Sequence, residues 1–186
     1  MRHIIILMLI VFACAACTGR ADNPDPRHIK VLELMREQHW QEAERLLDVM
    51  LEEDPKRPAT WSLRASLHAE QKQYEQALAD LNVISSLPKS RYDPGIMPCL
   101  LQERLGRLTE ARACYVKRIE QLAQGNEAKC DANLECVLAD LMAEGPDAEA
   151  RRQRILAISK SPEEMKWNHF LLDGFNRDEY LKAILP

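Results

Sequence analysis

Three alanines in this chain stand at one spacing, and that spacing narrows the choice of fold more than any other feature. Trp40-x-x-Ala43-x-x-x-Leu47-x-x-Met50 is followed by Tyr74-x-x-Ala77-x-x-x-Leu81-x-x-Ile84, and then by Leu108-x-x-Ala111-x-x-x-Tyr115. The alanines are 34 residues apart both times, 77 − 43 and 111 − 77. A fixed period of this length marks stacked supersecondary units. A small residue four positions before a large one puts both on one helix face, where the alanine lets a partner helix approach and the large side chain fills the space beside it. No single hairpin covers its own apolar face, so three stacked ones are needed to make a continuous core.

The pattern resembles the tetratricopeptide repeat, whose second helix carries an aromatic, a small residue, a large residue and a closing proline at these offsets. Asp54-Pro55 closes the first unit, and Trp61 and Ala65 extend the agreement to the first helix of the second. The third unit is degenerate, because Asp93-Pro94-Gly95 and Pro98 occupy the stretch where its first helix should begin. Proline is tolerated in a first turn and breaks a helix interior. That helix is therefore expected to be short, from Pro94 or Met97 to Leu105, with Gly106 closing it as a C-cap. The resemblance implies an all-α fold: a helical-hairpin solenoid of about three such repeats over 27–124, followed by a C-terminal helical cap over 125–186. Trp40, Trp61, Tyr74 and Tyr115 are expected to pack in its core.

Beyond Gln124 the period is lost while helical signals continue. Asn133 to Ala143 is apolar-rich and ended by Gly145-Pro146, and Asp147 to Ser159 is amphipathic. Ser161-Pro162-Glu163-Glu164 reads as an N-cap starting a helix to about Leu172, and Asn176-Arg177-Asp178-Glu179 as a capping box before a last helix. Trp167, Phe170, Phe175 and Tyr180 are expected to seal the open end of the repeats.

Met1-Arg2-His3 followed by the apolar run Ile4 to Phe12 reads as an export signal. The run is too short for a spanning helix, which needs roughly 20 apolar residues. Ala15 and Ala16 before Cys17 resemble the lipobox of bacterial lipoproteins. The resemblance implies cleavage after residue 16, acylation of Cys17 and a polar spacer over 17–26. The expected location is the bacterial envelope, lipid-anchored at a membrane (the outer one by preference) and facing the periplasm, with secretion to the periplasm as the alternative.

Four further cysteines, Cys99, Cys114, Cys130 and Cys136, are even in number in a chain read as exported, so two disulfides are the default expectation. Three pairings are open. Cys99 and Cys114 lie almost equidistant from the turn at Gly106-Arg107, which favours joining them across a hairpin, with Cys130 and Cys136 closing a small loop.

Net charge is −4, and no Lys/Arg block resembles a nucleic-acid footprint. The histidines His28, His39, His68 and His169 are scattered singly, and no zinc signature, phosphate loop or Gly-x-Ser-x-Gly elbow is present. No metal, cofactor or small-molecule substrate is expected, and no catalytic residue is assigned. A Cys136 thiol working with a distant histidine is the remote enzymatic alternative. Arg151-Arg152-x-Arg154 reads as a solvated helix face, with lipid headgroups or an acidic partner as the other reading.

In the tetratricopeptide family the first helices of the hairpins line a concave groove. The matched register places His28, Leu32, Met35, Arg36, Ser62, Ser66, Ala69 and Glu70 there, followed by Ile96, Leu100 and Arg104. For Leu32, Met35 and Leu100, packing between hairpins is an equal reading. The groove lacks the Lys and Asn positions with which some relatives clamp a terminal carboxylate. The expected partner is another protein: a component of an envelope or secretion assembly for which this chain is a tethered adaptor. The alternative is a periplasm-targeted toxin of a type VI secretion system, which the chain would neutralise as an immunity lipoprotein.

Overall fold

The computed structural model describes residues 25–87, 92–159 and 161–186. The export signal, Cys17 and all but the end of the expected spacer lie outside the described residues. Every regular element among the described residues is a helix. They run α1 (Pro26–Arg36), α2 (Trp40–Glu53), α3 (Pro58–Glu70), α4 (Tyr74–Ser86), α5 (Met97–Arg104), α6 (Leu108–Ala123), α7 (Glu127–Asp131), α8 (Leu134–Ala143), α9 (Ala148–Ile158), α10 (Pro162–Leu172) and α11 (Arg177–Ile184). The fold is all-α, built of helical-hairpin repeats followed by a C-terminal helical region.

The 34-residue period governs both packing and backbone. Ala43, Ala77 and Ala111 are buried, as are Leu47, Leu81 and Tyr115 four positions on. In the first hairpin Val31, Leu34, Leu47 and Met50 form one apolar cluster with Leu67 from α3. Each hairpin turn holds one residue in the left-handed region, Gln38 (φ 61), Lys72 (φ 62) and Gly106 (φ 75), themselves 34 apart. The next residue closes each turn back onto the first helix: His39 N–H to Leu34 O at 2.8 Å, Gln73 N–H to His68 O at 2.8 Å and Arg107 N–H to Gln102 O at 2.9 Å. These are Schellman closures, which satisfy carbonyls that a helix end leaves without partners. The third repeat keeps this turn although its first helix is only eight residues long, the shortening that Pro94 and Pro98 predict.

The chain forms two compact units: one reaching to Pro94 and including Ala183–Pro186, the other Gly95–Lys182. The boundary between these units falls before the third hairpin. In the second unit that hairpin packs chiefly against α8. Caps fix the later helix starts: Asn126 accepts from Ala128 N–H (3.1 Å), Asn133 from Cys136 N–H (3.0 Å), Ser161 from Glu164 N–H (3.0 Å) and Asn176 from Glu179 N–H (3.0 Å). Cys99 of α5 is joined to Cys114 of α6, and Cys130 of α7 to Cys136 of α8, each with Cα atoms 5.3 Å apart.

Two expectations about aromatic residues are corrected. Trp40, Trp61 and Tyr74 are half-buried, and only Tyr115 is fully enclosed. The four C-terminal aromatics form two separate pairs, Trp167 with Phe170 and Phe175 with Tyr180. Trp167 and Phe170 are exposed, so they do not seal a core.

Candidate partner-binding face

In the first unit the residues assigned to the groove come from α1 and α3, and the N-terminus of α1 is locked to α3 by charge. Asp25 caps α1 by accepting from Arg27 N–H at 3.0 Å, and its carboxylate takes Arg57, the residue before α3, at 3.1 Å. Arg27 first, then Arg57, hold the Asp25 carboxyl well below the usual carboxylate range. One turn on, His28 Nε2 lies 3.0 Å from the hydroxyl of Thr60, which is fully buried. Burial pushes the His28 pKa down against the attraction of Asp25, so the ring is a neutral hydrogen-bonding bridge at pH 7. Its role is to join α1 to α3.

The remaining first-unit positions divide sharply. Met35 is buried in the apolar cluster and is withdrawn from the groove. Leu32 and Ala69 are half-buried and Arg36 is exposed. Ser62 shares a short hydrogen bond with the Tyr92 hydroxyl, and the Ser66 hydroxyl donates to Ser62 O at 3.0 Å. Glu70 is half-buried. What remains is a narrow, half-exposed run of small side chains on α3, with half-buried Leu32 and exposed Arg36 on α1.

On the opposite face of α3 lies a charge network with no counterpart among the expected site residues. Asp80 of α4 is buried and receives Arg64 Nη2 at 2.8 Å and His68 Nδ1 at 2.9 Å. Arg64 also reaches Asp48 of α2 at 2.9 Å and stands 4.5 Å over the Trp61 ring. His68 Nε2 faces Glu44 of α2 at 3.8 Å. Burial alone would raise the Asp80 carboxyl, but the hydrogen bonds from His68 and Arg64 outweigh it and hold the pKa below the ordinary value. The network connects three helices, tying α3 to α2 and α4 while its small-residue strip is half-exposed. A depression of ≈ 430 Å³ lined by Gln41, Glu44, Arg45 and Asp48 lies on α2 alone and presents no convergent ligand groups.

In the second unit Ile96 and Leu100 are buried and leave the groove set for the same reason as Met35: their apolar side chains complete the core. Arg104 is exposed. The interior carries charge here too. Glu103 accepts from the Tyr115 hydroxyl at 2.9 Å and pairs with Arg177 at 2.9 Å. Arg118 occupies the register position at which earlier repeats bury Met50 and Ile84, and it pairs with Glu135 at 2.8 Å. Arg151 is buried against Asp140 (2.8 Å), Asp131 (3.5 Å) and Glu127. Arg152 is bound to Glu149, whose carboxyl it draws down to about 2, and donates to Leu172 O at 2.7 Å. Arg154 pairs with Asp131 at 2.9 Å. Arg151 is therefore an internal brace, whereas Arg154 stays exposed beside it and Arg152 is half-buried.

Among the described residues no group of His, Cys, Asp and Glu is arranged to hold a metal ion, and no helix is long and apolar enough to cross a membrane. Residues 34–87 match the family described as Tetratricopeptide repeat, a span that runs from the end of α1 to the end of α4. No curated protein and no solved structure matches the chain. The match supports tetratricopeptide character for these hairpins, and such repeats are protein–protein interaction modules.

Proposed function

We propose that the chain is a protein-binding lipoprotein of the bacterial envelope, tethered through Cys17 and facing the periplasm, where its first two hairpins dock a partner in an envelope or secretion assembly. The observation that carries this reading is the α3 strip of Ser62, Ser66 and Ala69. It is half-exposed, while the Asp80 network on the other side of the helix ties α3 to its neighbours. Small side chains on a fixed helix let a partner backbone approach closely, and ordering costs little when the surface is already organised. Leu32 adds apolar contact and Arg36 a charge at the edge. The lipobox-like residues before Cys17 support the tether, and the paired cysteines suit an oxidising compartment.

A photo-crosslinking residue placed at Ser66 or Leu32 in cells, with Val49 of α2 as the comparison, tests the face. Val49 is 48% exposed, so it reports on chance encounters. Discrete adducts from Ser66 and Leu32, absent from Val49, are expected. Equal labelling at all three positions would remove the groove assignment. Several envelope proteins among the adducts fit the adaptor, and a single stoichiometric toxin fits the immunity alternative. Radiolabelled palmitate should enter the wild type and not Cys17→Ala.

A further inference from the structure

Helix α10 is held in the second unit by few side chains. Asn168 and Leu172 are its buried residues, with Asn168 Nδ2 donating to Ser159 Oγ at 2.8 Å. Trp167 and Phe170, one turn apart, project from the largely opposite side of the helix. They are 41% and 59% exposed and contact each other edge to face, with ring centroids 5.8 Å apart and planes at 84°. Met165 on the same helix is 45% exposed. A Trp–Phe pair in edge-to-face contact and turned outward offers amphipathic aromatic surface of the kind found at interfaces and in membrane-interface layers.

We propose that α10 is a membrane-contact helix that lays Trp167 and Phe170 into the interfacial layer of the bilayer to which the chain is anchored. This rests on the acylation of Cys17 put forward above. The tether supplies the argument for lipid as the occupant. From Cys17 to Asp25 is 25 − 17 = 8 residues, which reach at most about 28 Å even when fully extended. A chain so held meets its membrane continuously, at an effective concentration of roughly millimolar or more. Two aromatic side chains, too weak an anchor alone, then suffice for contact. Tryptophan suits this layer because its ring is apolar and its N–H can remain with the headgroups. Charge does not drive the contact. Helix α10 carries Glu163 and Glu164 against Lys166, and the neighbouring arginines of α9 are engaged by Glu149, Asp131 and Asp140. Insertion is therefore insensitive to salt and to the fraction of anionic lipid.

The test uses the full acylated chain reconstituted in vesicles of phosphatidylethanolamine and phosphatidylglycerol that contain brominated phospholipid, with tryptophan fluorescence as the readout. Trp40 and Trp61 are internal references. The expected result is quenching that Trp167→Leu abolishes and Phe170→Ser cuts by at least half, unchanged between about 0.1 and 0.5 M salt. The far-ultraviolet spectrum of each variant should match the wild type. Acylated protein without Trp167-dependent quenching overturns the inference and leaves the anchor intact. Intact mass of the N-terminal peptide is read on the same sample, and an unmodified Cys17 removes the anchor and this inference together. Shielding of Trp167 that rises with protein concentration in detergent overturns it in favour of a second copy of the chain.

Discussion

The Tyr115 hydroxyl donates a 2.9 Å hydrogen bond to Glu103, twelve residues earlier, and the same carboxylate pairs with Arg177 at 2.9 Å. Tyr115 is fully buried and the Glu103 side chain is 3% exposed. A buried carboxylate is tolerated only while its partners are in place. Burial and the Glu103 charge both push the Tyr115 phenol upward, so it remains a neutral donor across the accessible pH range. Tyr115→Phe keeps the ring and strands one carboxylate oxygen, which should lower stability by about 1–3 kcal/mol. Arg177→Ala removes the countercharge and should cost more, about 3–5 kcal/mol. Urea denaturation of both variants tests the order, and a larger loss in Tyr115→Phe would reverse the assignment of Arg177 as the main partner.

Asp80 gives the first unit a dependence on acid. Its folded pKa is lowered because the hydrogen bonds from His68 and Arg64 outweigh burial. A carboxyl depressed by folding contributes stability that is present above its unfolded value, about 3.9, and is lost as pH falls through the folded value. Asp80→Asn should therefore be destabilised at pH 7, by about 2–4 kcal/mol because Arg64 still holds Asp48. The gap to wild type should shrink below about pH 4. Denaturant midpoints of wild type and variant from pH 7 down to 3 check this, and a gap that stays constant over that range would contradict it.

The buried charges explain how far the sequence could be read. The small and large residues of the repeat, Ala43 and Leu47 onward, were legible because one helix face repeats at a fixed interval, and their burial follows from that spacing. So were the caps at Asn133, Ser161 and Asn176, which are local. Asp80, Glu103 and Arg151 were not, because their partners Arg64, Arg177 and Asp140 stand on other helices and are brought close only by the fold. A charged residue in a helix reads as solvent-facing until the chain is folded. Met35, Ile96 and Leu100 of the groove set are buried, and for Met35 and Leu100 packing between hairpins was the equal reading. Periodicity tells which side of a helix is apolar, but not whether a neighbouring helix covers it. The converse holds for Trp167 and Phe170, large aromatics that the fold leaves outside.

The three hairpin turns make a graded test of backbone strain. Gln38, Lys72 and Gly106 adopt the same left-handed conformation, and only glycine does so without a Cβ penalty. Gly106→Ala has open space around the added carbon, so its cost is conformational, about 1 kcal/mol. Lys72→Gly should move the other way, stabilising by up to about 1 kcal/mol. Thermal unfolding of the two variants should shift the melting temperature in opposite directions. A fall in both would show that the Lys72 side chain contributes more than its backbone strain costs.

The two disulfides should differ in effect. The 99–114 loop spans 15 residues and the 130–136 loop spans 6. Chain-entropy reasoning gives the longer loop about 3 kcal/mol and the shorter about 2. The shorter bridge also holds α7, whose Glu127 and Asp131 embrace Arg151. Its loss therefore loosens an ionic brace as well as a loop. Cys130→Ser/Cys136→Ser should destabilise at least as much as Cys99→Ser/Cys114→Ser, reversing the order set by loop length alone. A non-reduced digest should yield the two pairs named, and a peptide joining Cys99 to Cys130 would overturn the assignment.

Gly145 is the position where a single methyl group should do most damage. Its amide closes α8 by donating to Asp140 O at 2.9 Å, after Glu144 has turned left-handed. A Cβ there would collide with the Asp140 carboxylate. That carboxylate cannot swing aside freely, because Arg151 holds it at 2.8 Å in a buried pair. Gly145→Ala must displace either the turn or the pair, and the expected loss is about 2–4 kcal/mol, above the value for Gly106→Ala. Adding Asp140→Ala should recover part of the steric loss while leaving Arg151 to Glu127 and Asp131. A double-mutant cycle at pH 7 measures this coupling. Strict additivity of the two substitutions would mean that the methyl group and the carboxylate do not compete for the same space.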